Sequence, residues 1–465
     1  MLFSSLTFLL LFLPITVGVY YAFKTNKIRN IVLLIFSLIF YGWGEPRLIL
    51  LMMVLLIINY LLVLIMDAED GQKRKIWLWT IVLINLGTLF YYKYFNFALS
   101  NFNRLFGTEL VSNVVLPIGI SFYLFQILSY AIDVYRKEVK AQKNFILLST
   151  YISLFPQLIA GPIVRYQTIE NQLKERKENW KLFNSGISRF IVGLGKKVII
   201  SNNVAIIANM VFSETPINQL NFFLAWAGAI AFTLQIYFDF SGYSDMAIGL
   251  GRMFGFEFLE NFNYPYISKS ITEFWRRWHM SLGTWFRDYV YIPLGGNRCS
   301  KGRHIFNMLV VWGLTGLWHG ASWNFVFWGL YFAVLLIAEK YIINKFADRV
   351  PNFIRWLFTI LLVIFGWVIF NSTSMAQIIA MFKNMFDFKT MMSLNEIKNM
   401  RIIYLWPYFT FGFIFSFPVK EYVSRIVNKF KFKNIIVDLI LIAILYWSIV
   451  LLINNSYNPF IYFRF

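Results

Sequence analysis

The chain holds three histidines in 465 residues, and one of them, His319, lies in the apolar run "GLWHGASWNF" (Gly316 to Phe325). Burying an imidazole among hydrocarbon costs free energy unless its nitrogens are partnered. Its ordinary pKa near neutrality suits it to take a proton from a hydroxyl as a bond forms, a role worth about 10²- to 10⁴-fold in rate. The same ring could instead donate to a backbone carbonyl and serve packing alone, and the residues by themselves leave these two readings level.

His279 sits in "EFWRRWHMSLGTWFRDY" (Glu273 to Tyr289), where Arg276, Arg277 and Arg287 are interleaved with tryptophans, Trp278 among them. Such mixtures settle at membrane interfaces for structural reasons alone. Guanidinium forks also match phosphate oxygens, which makes these arginines candidates for a phosphate-bearing ligand. Upstream, "QIYFDFSGYSDMAIGLGRMFGFEF" (Gln235 to Phe258) carries Asp239 and Asp245. Two acids there suit a cation pathway, or helix caps and ion pairs with the nearby arginines, the reading favoured for a chain rich in broken helices. Cys299, in the loop "GGNRCSKG", is the one cysteine, so an intramolecular disulfide is excluded. There is no GxxxxGK[ST] phosphate loop and no GxSxG elbow, and the widely spaced histidines make no recognisable zinc site, so no metal is expected.

The elements that must position these groups are membrane helices. The chain is 58% hydrophobic, 20% aromatic and only 14% charged, which nearly excludes a water-soluble domain. Runs such as Pro46 to Met66 reach the roughly 20 apolar residues that cross a bilayer as helix. The expected class is an all-α polytopic membrane protein with roughly 10–13 embedded helices, re-entrant and interfacial segments included. The first 23 residues lack a basic start and a small-residue cleavage site, and are read as a retained first helix. The net charge of +20 comes from basic residues gathered at span ends, which argues for orientation in a membrane and against nucleic acid.

Basic loops such as "KTNKIRN" and "RKEVKAQKN" are assigned to the cytoplasmic side, which puts the N-terminus and the tail "NNSYNPFIYFRF" outside. Pro156 and Gly161-Pro162 interrupt an apolar stretch and suggest a re-entrant element. Span four is expected at about Ile76 to Tyr92, and two later spans at Val198 to Phe212, starting from Lys196 and Lys197, and Asn221 to Phe240. From Ser241 to Arg303 no long apolar run appears, so broken and interfacial segments are expected there. From Ile305 to His319 a helix would span roughly 20 Å, carrying the imidazole far from the cytoplasmic surface.

"NFNYPYISKSITEFWRRWHMSLGTWFRDYVYIPLGGN", followed by "GLWHGASWNFVFWGLYF", closely resembles the membrane-bound O-acyltransferase superfamily in its alginate O-acetyltransferase branch. "FYGWGEPR", "LPIGISFYLFQILSYAIDVYR", "FPQLIAGPIVRY" and "QIYFDFSGYSDMAIGLGRMFGF" resemble further blocks of that branch in the same order. The resemblance implies one catalytic membrane domain over residues 1–465, with a core at about 117–343, a tail at 454–465, and a central tunnel joining the two membrane faces. It implies His319 as the essential catalytic residue and His279 as the second polar residue. Acetyl-CoA would be the donor substrate, with Arg276, Arg277, Trp278, Arg287, Trp318 and Asn324 near it, and no bound cofactor.

Tyr462 in the tail is a candidate transient acyl carrier, with an interfacial aromatic anchor as the plainer reading. Membrane lipids and a separate extracytoplasmic esterase-like protein acting on polysaccharide are the expected partners. Two alternatives stay open: D-alanyl transfer to teichoic acid from a carrier protein, and a transporter or polysaccharide exporter using Asp239 and Asp245.

Overall fold

A computed structural model supplies the structure, which describes residues 1–159, 161–390, 404–454 and 460–461. The chain is 78% helical and has no strand among the described residues. Among the described residues, eight helices are long and apolar enough to cross a membrane: Asn26–Gly44, Ile49–Ala68, Gly71–Phe106, Trp180–Glu214, Phe222–Met253, Trp323–Lys345, Asn352–Asn371 and Lys433–Asn454. Phe8–Ala22 and Ile120–Tyr135 are shorter apolar helices. In hydrocarbon the backbone must satisfy its own polar groups, and helix does so within one segment.

Contacts divide the chain into two compact units, Met1–Phe190 with Ser244–Leu259, and Ile191–Tyr243 with Glu260–Phe465. The first is built on an aromatic cluster of Phe3, Phe8, Phe12, Phe40 and Phe155. Its buried Arg176 donates to Tyr20 Oη at 2.8 Å and to Asn30 Oδ1 at 2.6 Å, and lies over the Phe256 ring. The stretch around Pro156 forms two short helices, Phe145–Ser153 and Phe155–Leu158, with a break at Leu154 in place of one long span.

Three spans are longer than hydropathy alone suggests. The fourth extends as Gly71–Phe106, its polar last turns ending at Gly107 in the left-handed region, φ +66°. Trp180–Glu214 runs straight through Lys196 and Lys197, which were expected to mark a span end. Lys197 is buried there as the ion-pair partner of Asp239, so its charge is neutralised inside the protein rather than at the membrane surface. Phe222–Met253 likewise continues 13 residues beyond Phe240. Its Gly249 packs so closely on Gly186 that a Cβ at either position would lie 2.6 Å from the other's carbonyl oxygen. Small residues at such a crossing let helix backbones approach, which offsets the poor helix propensity of glycine.

The second unit contains all three histidines. Its frame is the helical hairpin Lys301–His319 and Trp323–Tyr341, joined by the turn Gly320–Ser322. Gly316 and Gly329 face each other across it: a Cβ on Gly316 would lie 2.3 Å from Phe325 O, and one on Gly329 2.3 Å from Trp312 O. Since backbone cannot swing aside as a side-chain tip can, Gly329→Ala is expected to destabilise the protein by about 1–3 kcal/mol. It should lower the melting temperature in detergent and reduce activity in parallel. An unchanged melting temperature would show that the hairpin is loosely packed.

Candidate active site

His319 ends the 19-residue helix that starts at Lys301, about 28 Å away at 1.5 Å per residue. Ser300 caps the start by accepting from Arg303 N, and Gly320 ends the helix in extended backbone. Only 3% of His319 is exposed. Three rings stand edge-on around it: Trp328 at 5.0 Å between centroids, Trp318 at 5.1 Å and Phe370 at 5.5 Å. Asn324 donates to Phe370 O at 3.0 Å, fixing that last ring at the end of Asn352–Asn371. Asn324 also accepts from Ser322 Oγ in the turn that follows His319.

His279 is 2% exposed and reaches its position by a strained route. Its backbone lies at φ +45°, ψ +53°, in the left-handed region that costs a non-glycine residue energy and clusters at functional sites. The turn is held from both sides, by Asn263 N donating to Arg277 O at 2.9 Å and Met280 N donating to Asn261 O at 3.0 Å. The preceding helix, Ile271–Arg277, begins with Ser270 accepting from Glu273 N as N-cap, while Glu273 accepts from Lys269 N one residue before the cap. Buried Glu339 adds a second anchor, accepting from Ile271 N at 2.6 Å and Thr272 N at 3.1 Å.

Asn261 orients the imidazole. Its Oδ1 accepts from Ser281 N at 3.2 Å and from Ser281 Oγ at 2.9 Å, and lies 3.2 Å from His279 Nδ1. A backbone N–H can only donate, so the Asn261 atom facing it is the oxygen. His279 must therefore carry its proton on Nδ1, which presents Nε2 as a lone pair. His279 lies outside the eight candidate spans, and burial pushes its pKa down to about 3, so the ring is neutral at ordinary pH.

The two histidines share one tryptophan: Trp318 lies 5.1 Å from His319 and 5.9 Å from His279. Phe240 closes another side of His279, edge-on at 4.6 Å. Trp278 is buried in the same unit, 4.7 Å from Trp367. The arginines behave differently. Arg277 is paired with Glu273 at 3.0 Å and also donates to Asn263 O, and Arg287 is paired with Asp288 at 2.6 Å. Arg276 is exposed and carries no ion pair among the described residues.

Both candidate acids are engaged. In the first unit Asp245 pairs with Arg189 at 2.6 Å. Asp239, in the second, pairs with Lys197 in place of an arginine. Tyr462 lies outside the described residues, but Phe460 and Ile461 just before it are buried. His304 is tied between Tyr291 Oη at 2.8 Å and Tyr341 Oη at 2.7 Å, a packing role at the opposite end of the His319 helix. Cys299 Sγ donates to Gly296 O at 3.4 Å. No group of three or more His, Cys, Asp or Glu suited to a metal ion occurs among the described residues. Sequence reasoning missed Asn261, Glu339 and Lys197. The spacing Ser270-x-x-Glu273 is a signal in the sequence that could have marked the start of the helix Glu339 anchors.

Comparison with known proteins adds the family. The model of the membrane-bound O-acyltransferase family matches residues 35–382. The chain is 44% identical over 398 residues to a Pseudomonas aeruginosa protein named probable alginate O-acetylase AlgI, covering 84% of this chain and 76% of that one. It is 31% identical over 421 residues to the peptidoglycan O-acetyltransferase of Helicobacter pylori, covering 83% and 80%. It is also 30% identical over 279 residues to the teichoic acid D-alanyltransferase of Bacillus subtilis, covering 56% and 69%.

Proposed function

Because the chain belongs to the membrane-bound O-acyltransferase family, we propose that it carries acetyl from cytoplasmic acetyl-CoA outward for O-acetylation of an envelope or secreted polysaccharide. The observation that carries this reading is the pair of buried histidines packed on one indole, Trp318, one of them in a fixed tautomer. The names of the relatives support the acetyl group and the polymer class, alginate for one and peptidoglycan for another.

In the reaction, a hydroxyl oxygen attacks the thioester carbonyl, the C–S bond breaks, and the hydroxyl proton ends on the departing CoA sulfur. His319 acts as general base, taking the proton from the hydroxyl and returning it to the thiolate. His279 offers Nε2 as an acceptor for a second donor group of the incoming substrate, since the one proton of the attacking hydroxyl goes to His319. Orienting the carbonyl or protonating the sulfur would instead need a proton on Nε2, which the Asn261 contact places on Nδ1. The aromatic walls exclude water, which would otherwise hydrolyse the thioester. Arg276, unpaired with any acid among the described residues, is the guanidinium left open to the donor's phosphates, while Arg277 and Arg287 would have to exchange Glu273 and Asp288 for them.

Release of free CoA from acetyl-CoA by the purified protein tests this reading, and no release above a protein-free control would refute it. A separate extracytoplasmic protein delivering acetyl to polymer completes the pathway, with both chain termini on that outer side. Tyr462→Phe tests the tail as acyl carrier: the relay predicts loss of polymer acetylation, and full acetylation would leave Tyr462 as an anchor. The likeness to a D-alanyltransferase sustains one second reading. Transfer solely from an aminoacyl-loaded carrier protein would select it.

A further inference from the structure

Phe460 and Ile461 are only 3% and 5% exposed, although the helix before them, Lys433–Asn454, is one of the most exposed in the structure. What draws them in is one face of the helix Phe222–Met253. Asp239 and Tyr243, four residues apart, lie one above the other on that face. Asp239 Oδ2 accepts from Ile461 N at 2.8 Å, and the Tyr243 ring stacks on Phe460 at 4.4 Å with 27° between planes.

The other carboxylate oxygen of Asp239 takes Lys197 Nζ and lies 3.5 Å from Ser201 Oγ. A buried carboxylate needs its charge balanced and its lone pairs filled. Lys197 does the first, and the backbone of the tail contributes to the second. Lys197 itself comes from a π-helical turn, Lys196–Ser201, of the kind that recurs at functional sites. Phe240, next in sequence to Asp239, stands edge-on to His279 at 4.6 Å. One helix thus grips the tail on one side and walls His279 on the other.

We propose that Asp239 and Tyr243, with Lys197 as counter-charge, form an internal receptor for the chain's own Phe460–Ile461 segment, and that this docked segment braces the wall of the His279 chamber. Asp239 and Lys197 are positioning residues in this scheme; the effect on turnover rests on the acyltransferase reading, whereas the docking does not. The contact identifies the bound element as the peptide backbone at Ile461 together with the Phe460 ring. It also explains why an acid–base pair is kept inside a membrane helix bundle.

The test uses the full chain with Cys299→Ser and a reporter, Ile461→Cys, which retains the backbone N–H. A membrane-permeant maleimide should label this thiol at least tenfold more slowly in the folded protein than after denaturation. Replacing the pair together, Lys197→Met with Asp239→Leu, removes the acceptor without stranding a charge. It should raise labelling at least tenfold with the melting temperature kept. Fast labelling before the replacement, or equal labelling after it, would overturn the docking. Ile461→Pro, which removes the donated N–H and also restricts the backbone at 460–461, should lower CoA release at least fivefold with the KM for acetyl-CoA unchanged; full turnover would overturn the bracing of the chamber. Labelling needs no acyl donor, so an inactive wild-type protein beside an Ile461→Cys reporter that labels slowly would refute the acyltransferase reading and leave the receptor standing.

Discussion

Cells carrying His319→Ala should keep the protein in their membranes and lose polymer O-acetylation, with turnover reduced by about 10²- to 10⁴-fold or more. That range corresponds to about 3–5 kcal/mol of transition-state stabilisation, at 1.36 kcal/mol per decade. The loss should be the same in His319→Gln, which fills more of the cage between Trp318, Trp328 and Phe370 but cannot shuttle a proton. Comparing the two separates chemistry from packing. A cavity effect would be repaired in part by glutamine, whereas loss of the base would not.

The second large effect falls on a residue outside the two histidines. Asn261→Leu should reduce turnover at least about tenfold, because the Oδ1 that keeps the His279 proton on Nδ1 is gone. Asn261→Asp retains an oxygen and adds charge, so its effect should depend on pH. In the wild type the His279 pKa is pushed down to about 3, so the ring stays neutral and its contribution to the rate does not change between pH 5 and 8. A carboxylate in contact raises that pKa. Activity of Asn261→Asp should then fall as pH falls through the raised pKa, where Nε2 takes a proton and can no longer accept one, and recover as pH rises. A pH–rate profile of the variant parallel to that of the wild type would show that Asn261 does not govern the protonation of His279.

The membrane fold was legible because a bilayer imposes it: apolar runs of sufficient length have few structures open to them. Span ends were less legible, since a charge marks a membrane surface only when it is solvated. Lys196 and Lys197 read as an end, yet Lys197 lies inside a continuous helix because Asp239, 42 residues later, neutralises it. His319 and His279 stood out as rare imidazoles beside tryptophan, and Trp318 proved to touch both.

The orienting contact was hidden for a different reason. Asn261 and His279 are 18 residues apart and meet across a loop turned by residues with positive φ, Tyr264 and His279 itself, which hydropathy does not register. Glu339 likewise caps a helix 68 residues earlier in the chain. The arginines show the converse limit. Composition suggested three phosphate ligands, but Glu273 and Asp288 beside two of them had already supplied partners.

Acetyl transfer through His319 is tested most directly by free-thiol release from acetyl-CoA by the purified protein in liposomes, wild type beside His319→Ala at equal protein. The wild type should liberate CoA steadily and the variant should not exceed a protein-free control. Equal release from both would contradict a catalytic role for His319.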